Sequence, residues 1–234
     1  MQIGIISDIH GNLEALDAIL YAFKKEKVEK IICLGDMIGY FHQSIEVLDR
    51  LMDLEVSAIC GNHEAYLLNY IPYSQERADI YNLEYIRKKM SRRAYEWISS
   101  LPKTLNLTIN YKRMLFFHGS PWNPLEGYIY PDYQNFDDFL TIDSDYIFLG
   151  HTHHAFYKTI ENKNIINPGS VGLPRDIDNK AKAVILNIEK GVELIFLHEE
   201  YDIDRFLESA QKHGVSMIAI ERLKRMTERC IDYG

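Results

Sequence analysis

Hydrophobic and polar positions along the chain fall into two regimes. Up to about residue 60, short β-branched runs alternate with stretches of helical spacing. Ile3–Ile6, Ile31–Leu34 and Val56–Cys60 are continuously apolar and too short for helices, so they read as buried strands. Behind Asn12, a good N-cap residue, Leu13, Leu16, Ile19, Leu20 and Phe23 recur at helical spacing and predict a helix. A second βα unit follows, with a strand over 30–34, a loop through Gly39, and a helix near 43–53 burying Ile45, Leu48 and Met52. Residues 64–100 break the alternation. They are rich in Tyr, Arg, Lys and Leu and predict two or three helices forming a cap inserted over one edge. Beyond Pro102 the pattern predicts short strands over 104–110, 112–117, 146–149, 155–160, 164–167, 181–188 and 192–198, then helices over 202–213 and 215–230. No linker-like stretch divides the chain, so residues 1–234 read as one domain with 64–100 as its cap insertion.

The polar residues that interrupt this pattern are not scattered at random. Asp8-Ile9-His10, Gly35-Asp36, Gly61-Asn62-His63-Glu64 and Gly150-His151-Thr152-His153 each follow a β-branched run, and His118-Gly119 follows the apolar Met114–Phe117. Groups at the carboxyl ends of neighbouring strands converge in one crevice although they lie far apart in sequence. Carboxylates and imidazoles gathered in this way suit borderline first-row metals better than Ca²⁺. Asp36 has two carboxylate oxygens and can bridge two ions, Asn62 offers a neutral carbonyl oxygen, and His118, His151 and His153 offer imidazoles.

The ordered set D-x-H, GD, GNH[DE], H-G and G-H-x-H resembles the calcineurin-like metallophosphoesterase superfamily. That resemblance implies an α/β fold, a four-layer αββα sandwich of two mixed β-sheets flanked by helices. It implies two divalent metal ions, one held by Asp8, His10, Asp36 and His153 and the other by Asp36, Asn62, His118 and His151. Two ions about 3.5–4 Å apart would activate a bridging hydroxide for in-line attack on a phosphoester. Mn²⁺ is the expected activating ion in vitro, with Fe, Zn, Ni or Co as alternatives. His63, beside Asn62, is the candidate general acid for the leaving alkoxide. In the protein phosphatases of the superfamily an aspartate and an arginine follow the GD motif; here Gly39 and Tyr40 stand in their places. The departure points to the small bacterial and archaeal phosphoesterases, which Asn167-Pro168-Gly169-Ser170 also resembles. Asn167, Gly169 and Ser170 are therefore expected to shape the phosphate pocket through backbone groups, Tyr40 to line it, and Arg175 to replace the missing guanidinium.

Composition narrows the substrate. A net charge of -8 argues against general nucleic-acid binding through phosphate neutralisation. The expected partner is a small phosphorylated molecule, phosphodiester or phosphomonoester, with nucleotides among the candidates. The strand pattern starts at once after Met1, leaving no room for a signal peptide, and no apolar run reaches the roughly 18 residues of a membrane span. A cytoplasmic location with no membrane contact is the expectation, and Cys33, Cys60 and Cys230 read as small hydrophobes rather than disulfide partners. Two alternatives share this fold: a catalytically silent scaffold, as a retromer subunit of the superfamily is, and a metal-dependent nuclease. The first conflicts with the complete ligand and acid set, the second with the acidic balance.

Several features admit two readings. Glu64 is either an acid beside His63 or a carboxylate stabilising a helix N-terminus. Arg87, Lys88, Lys89, Arg92 and Arg93 either steer an anion or form a solvated face. Trp122, Tyr128, Tyr130 and Tyr133 either pack or stack on an aromatic substrate, and His42 either is structural or reaches substrate. Ile218, Ile220, Leu223, Met226 and Cys230 suit packing of the last helix on its own sheet or on a second chain.

Overall fold

Two five-stranded mixed sheets lie face to face across a shared apolar layer. The computed structural model describes residues 1–176, 178–189 and 191–231, with side chains of the last helix described as far as Lys224. In chain order the strands are β1 (Gln2–Ile6), β2 (Lys30–Cys33), β3 (Ser57–Ala58), β4 (Thr104–Ile109), β5 (Lys112–Phe117), β6 (Tyr146–Phe148), β7 (Ala155–Ile160), β8 (Lys163–Pro168), β9 (Ala181–Asn187) and β10 (Glu193–Glu199). The helices are α1 (Leu13–Lys25), α2 (Ser44–Asp53), α3 (Asn62–Leu67), α4 (Gln75–Ile80), α5 (Leu83–Lys89), α6 (Arg92–Ser100), α7 (Ile203–Lys212) and α8 (Met217–Ile231), with one 3-10 helix over Phe136–Thr141.

The sheets run β10-β9-β1-β2-β3 and β4-β5-β6-β8-β7. The second sheet has a parallel centre, β5-β6-β8, flanked by antiparallel β4 and β7, whereas in the first the parallel strands β1-β2-β3 run to one edge and antiparallel β9 and β10 lie beyond β1. Each polar motif lies just beyond the carboxyl end of one of these six parallel strands. Ile3, Ile5, Ile32, Met114, Phe116, Phe148 and Ile166 fill the layer between the sheets. Ile6, Leu16, Ile19 and Phe23 pack on the outer side of the first sheet. At Gly4 a Cβ would lie 2.3 Å from the Phe23 ring, so the missing side chain lets α1 settle directly on β1.

The helix expected after Asn12 is present, and the Asn12 side chain accepts from Ala15 N. In α2 the buried residues are Val47, Leu48, Leu51 and Met52, while Ile45 is only partly buried. The strand expected over 56–60 pairs only at Ser57 and Ala58, because Cys60 N donates instead to Pro102 O. The expected two or three cap helices are four. A left-handed Asn82 separates α4 from α5, and α3 begins at Asn62 inside the Gly-Asn-His-Glu motif itself. The cap shares its apolar core with α1 and α2.

The layer outside the second sheet is thin. Phe136 and Phe139 of the 3-10 helix, with Ile129, cover Phe117, Ile147, Leu149 and Ile165. Helices α7 and α8 lie elsewhere, packing Phe206, Ala210, Ala219, Ile220 and Leu223 around Tyr40, Phe41 and Leu173. The last helix thus packs on a loop and on α7 rather than on a sheet; the side chains of Met226 and Cys230 lie outside the described residues. Among the described residues no helix is long and apolar enough to cross a membrane.

One buried cation braces the segment that carries Arg175. Lys182 is 1% exposed, and its ammonium pairs with Asp176 and, at 2.6 Å, with Asp178. Removing one partner of a buried ion pair leaves the other charge uncompensated. Lys182→Ala is therefore expected to cost about 3 kcal/mol in urea unfolding; an unchanged midpoint would show the pair to be dispensable. Burial raises the Asp178 carboxyl, but Lys182 outweighs it and holds the group below its ordinary value. The contribution of Asp178 is thus present above the unfolded carboxyl pKa of about 3.9 and lost as pH falls below it.

Candidate metal centre

Asp8 and His10 follow β1, Asp36 follows β2, Asn62 and His63 open α3 after β3, His118 follows β5, and His151 and His153 follow β6. All eight are buried, the most exposed being His151 at 6%. Asp8, His10, Asp36, His151 and His153 all have left-handed backbone, with φ between 52° and 65°. For non-glycine residues that conformation costs about 1–2 kcal/mol each, and it turns their side chains inward.

The carboxylate of Asp8 is asymmetric. Its Oδ2 accepts from Ser7 Oγ at 2.7 Å and His151 N at 3.0 Å, whereas Oδ1 is buried without a hydrogen-bond partner. That free oxygen lies 3.3 Å from His153 Nε2 and 3.7 Å from His10 Nε2. His10 and His153 each bond through Nδ1 to a backbone carbonyl, of Ile38 and Leu173 respectively. A carbonyl can only accept, so both Nδ1 atoms carry the proton and both Nε2 atoms present lone pairs. These two Nε2 atoms face each other at 3.1 Å. Burial, with His63 beside His10 and Arg175 near His153, pushes both pKa values down, so neither ring readily takes a second proton.

A second cluster repeats the arrangement. His118 donates from Nδ1 to Leu34 O at 2.8 Å, leaving Nε2 directed at Asn62 Oδ1 at 2.9 Å and His151 Nδ1 at 3.1 Å. Asp36 stands between the clusters. Its Oδ1 accepts from His63 N at 2.9 Å, and its Oδ2 lies 3.4 Å from His118 Nε2 and 3.8 Å from His10 Nε2. Ligand atoms of Asp8, His10 and His153, and those of Asp36, His118 and His151, lie within 4.8 Å of one another in each set. Burial works against a proton on His118, yet Asp36 and Asp8 prevail and, with protein groups alone, raise it to about 9.

Glu64 resolves as structural. Its carboxylate accepts from Gly61 N, Asp36 N and Met37 N at 2.8–2.9 Å, tying the start of α3 to the Gly35-Asp36 loop. The His63 ring is held without a hydrogen bond to its Nδ1. A Cβ at Gly39 would lie 2.1 Å from His63 Nδ1, and that nitrogen is buried without a partner. Aromatic rings hold the imidazole instead, Tyr81 at 4.1 Å, His10 at 4.6 Å and Tyr40 at 5.1 Å between centroids. Burial pushes His63 down to about 4, opposed by Asp36.

Above the two clusters opens a cleft of about 270 Å³ lined by Asp36, Tyr40, Asn62, His63, Tyr66, Arg77, Tyr81, Glu126, Tyr128, His151, His153 and Arg175. Tyr40 and Arg175 therefore sit where substrate contact was expected. Asn167, Gly169 and Ser170 do not. Asn167 and Ser170 are fully buried; Asn167 Nδ2 donates to Gly150 O and Thr152 Oγ1, and Ser170 Oγ donates to Asp8 O. Gly169 is wedged on Lys182 and Ala155. The segment braces the ligand loops from behind, because its hydrogen-bonding groups are spent on backbone. His42 also misses the cleft, stacking on His213 at 4.5 Å and bonding Ser209 Oγ.

The aromatic loop divides its roles. Trp122 and Tyr133 pack on Phe139, whereas Tyr128 lies 4.2 Å from the His151 ring and is 53% exposed at the cleft. The basic face is mostly paired, with Lys88 to Glu84, Arg92 to Glu96 and Arg93 to Asp53. Tyr66, Arg77, Tyr81 and Glu126 were missed by sequence reasoning. No motif marks them, and only their position beside His63 in the fold makes them visible.

The sequence profile of the calcineurin-like phosphoesterase superfamily domain matches residues 1–191. The chain belongs to that superfamily. This calcineurin-like phosphoesterase is 34% identical over 244 residues to the uncharacterized protein MJ0912 of Methanocaldococcus jannaschii, covering 95% of this chain and 97% of that one. A metallophosphoesterase from Sphaerobacter thermophilus superposes with a TM-score of 0.80 at 26% identity, over 96% of this chain and 98% of that one. Hypothetical protein PH1004 of Pyrococcus horikoshii OT3 shares the fold with a TM-score of 0.81 at 21% identity, over 95% and 97%.

Proposed function

We propose that the protein is a dinuclear metal-dependent phosphoesterase acting on phosphodiesters, or on small phosphomonoesters. The observation that carries this reading is the pair of Nε2 lone pairs on His10 and His153, turned toward each other beside the orphaned Asp8 Oδ1. Three donors with no proton to share repel one another unless a cation joins them, and neutral imidazoles with carboxylates suit Mn, Fe, Zn, Ni or Co. Asp8, His10, Asp36 and His153 would hold one ion, and Asp36, Asn62, His118 and His151 the other. When bound, two such ions supply Lewis-acid activation of water and neutralise charge on the phosphoryl oxygens.

The chain's own residues do the rest. Ser7 and the His151 amide fix one oxygen of Asp8 so that the other points into the site. Backbone carbonyls of Ile38, Leu34 and Leu173 fix the tautomers of His10, His118 and His153. Arg175, at the cleft, receives the anionic phosphoryl oxygens. His63 places Nε2 3.7 Å from Asp36 Oδ2, and its imidazolium form, made strongly acidic by burial, delivers the Nε2 proton to the leaving oxygen. Diesters are favoured over phosphoproteins because Tyr40 occupies the position of the phosphatase arginine, and the complete ligand set supports an enzyme over a silent scaffold.

The test is hydrolysis of bis-p-nitrophenyl phosphate by protein stripped of metal and reloaded with Mn²⁺, Ni²⁺, Zn²⁺ or Mg²⁺. Turnover that appears only after reloading, with two ions bound per chain by elemental analysis, is expected. Turnover indifferent to chelation would overturn the reading.

A further inference from the structure

The metal clusters occupy only the floor of the cleft, and the walls carry chemistry that hydrolysis of a simple diester does not use. On one wall, Tyr66 donates its phenolic proton to Glu126 at 2.7 Å, and Arg77 donates from a guanidinium nitrogen to the Tyr66 oxygen at 3.0 Å. The direction of this relay is fixed, since a guanidinium can only donate and a carboxylate only accept. Tyr66 is 3% exposed, so its hydroxyl is a rigid mount, while Arg77 on α4 is exposed. The arginine is thereby held at the cleft by a single hydrogen bond to a neutral group. Among the described residues no ion pair joins it to a carboxylate.

Arg175 lines the same cleft and donates its backbone N–H to His153 O at 3.2 Å. No ion pair to its guanidinium is formed among the described residues either. Tyr128 lines the same cleft, its ring 4.2 Å from that of His151. A site for one phosphoryl group needs only the cation beside the metal centre. Two guanidiniums lining one cleft of about 270 Å³, neither paired with a carboxylate among the described residues, match a ligand with two anionic groups.

The geometry points to a second anion subsite at Arg77, mounted by Tyr66 and Glu126, so that the preferred ligand carries a further phosphate or carboxylate beside the scissile phosphoryl group. It rests on the hydrolytic reading for the role of the floor, and it deepens that reading from any small phosphoester to a doubly anionic one. Tyr128, half exposed beside His151, offers an aromatic face in the same cleft, which suits a nucleoside bearing two phosphates. Arg77 is the specificity residue; Tyr66 and Glu126 are positioning residues that act through it.

The experiment measures binding of adenosine 3′,5′-bisphosphate and of adenosine 5′-monophosphate to Mn²⁺-loaded protein by titration calorimetry, with wild type, Arg77→Ala, Arg77→Lys and Tyr66→Phe. Wild type is expected to bind the bisphosphate about tenfold tighter, equivalent to about 1.4 kcal/mol. Arg77→Ala should lose that ratio while its affinity for the monophosphate stays within about twofold and its Tm is unchanged, since Arg77 is exposed. Arg77→Lys should keep part of the ratio, and Tyr66→Phe, which removes only the mount, should reduce it. Equal affinities for the two nucleotides in wild type, or a parallel loss of both in Arg77→Ala, would overturn the subsite. Discrimination without turnover of any ester would support the subsite and count against the hydrolytic reading, so the two fail separately.

Discussion

Replacing His63 with alanine is expected to slow hydrolysis of a dialkyl phosphodiester by about 10²–10⁴-fold, the range supplied by a positioned proton donor. An alkoxide is a poor leaving group and needs that proton as the bond breaks. p-Nitrophenolate does not, so the same variant should lose much less on bis-p-nitrophenyl phosphate. The comparison separates a proton donor from a residue that merely holds the site together. His63 also sits 3.7 Å from Asp36 Oδ2 and could serve as a further nitrogen donor to metal. A ligand role would lower turnover of both esters equally and would reduce the ions bound per chain. Equal losses would therefore remove His63 from proton transfer.

Stripping the divalent ions is expected to destabilise the folded chain strongly. An ion that binds only the native state adds about 4.1 kcal/mol when present at a thousandfold excess over its dissociation constant. For a chain of this size each kcal/mol moves Tm by roughly 2–4 °C, so chelation should lower the melting temperature by on the order of 10 °C. Two features of the site sharpen the expectation. The inward-facing lone pairs of His10 and His153 repel across 3.1 Å, and Asp8, His10, Asp36, His151 and His153 hold left-handed backbone. Both costs are met by ligation and are uncompensated without it. Thermal melts in chelator and after Mn²⁺ addition would check this, and identical melting curves would show that the clusters hold themselves together with protein groups alone.

The legible part of this structure is the part written in local patterns. The apolar runs before Asp8, Asp36, Asn62, His118 and His151 marked the strands β1, β2, β3, β5 and β6, although β3 is shorter than its run. Leu16, Ile19 and Phe23 marked the buried face of α1 because helical spacing is a local property. Pairings between distant segments were not legible. Nothing near residues 181–187 says that β9 pairs with β1, because that choice is made by the apolar layer between the sheets. The same holds for Arg77, whose place at the cleft depends on how α4 folds back over His63. Asn167 and Ser170 were misplaced for a related reason: polar residues at a strand end can face the ligand loops as readily as the ligand, and here Gly150 O and Asp8 O claim them.

The late pairing of β9 with β1 has a consequence for synthesis on the ribosome. The strand that bears Asp8 and His10 is made first, yet its antiparallel neighbour is added only after residue 181. Until then β1 has an open edge, and about two-thirds of the chain must emerge before His153 can join the others. A nascent chain therefore cannot trap a stray cation in a finished cage at an early stage. On the proposed reading, metal capture would be deferred until both sheets exist, leaving the choice of ion to the pool met by the nearly finished protein.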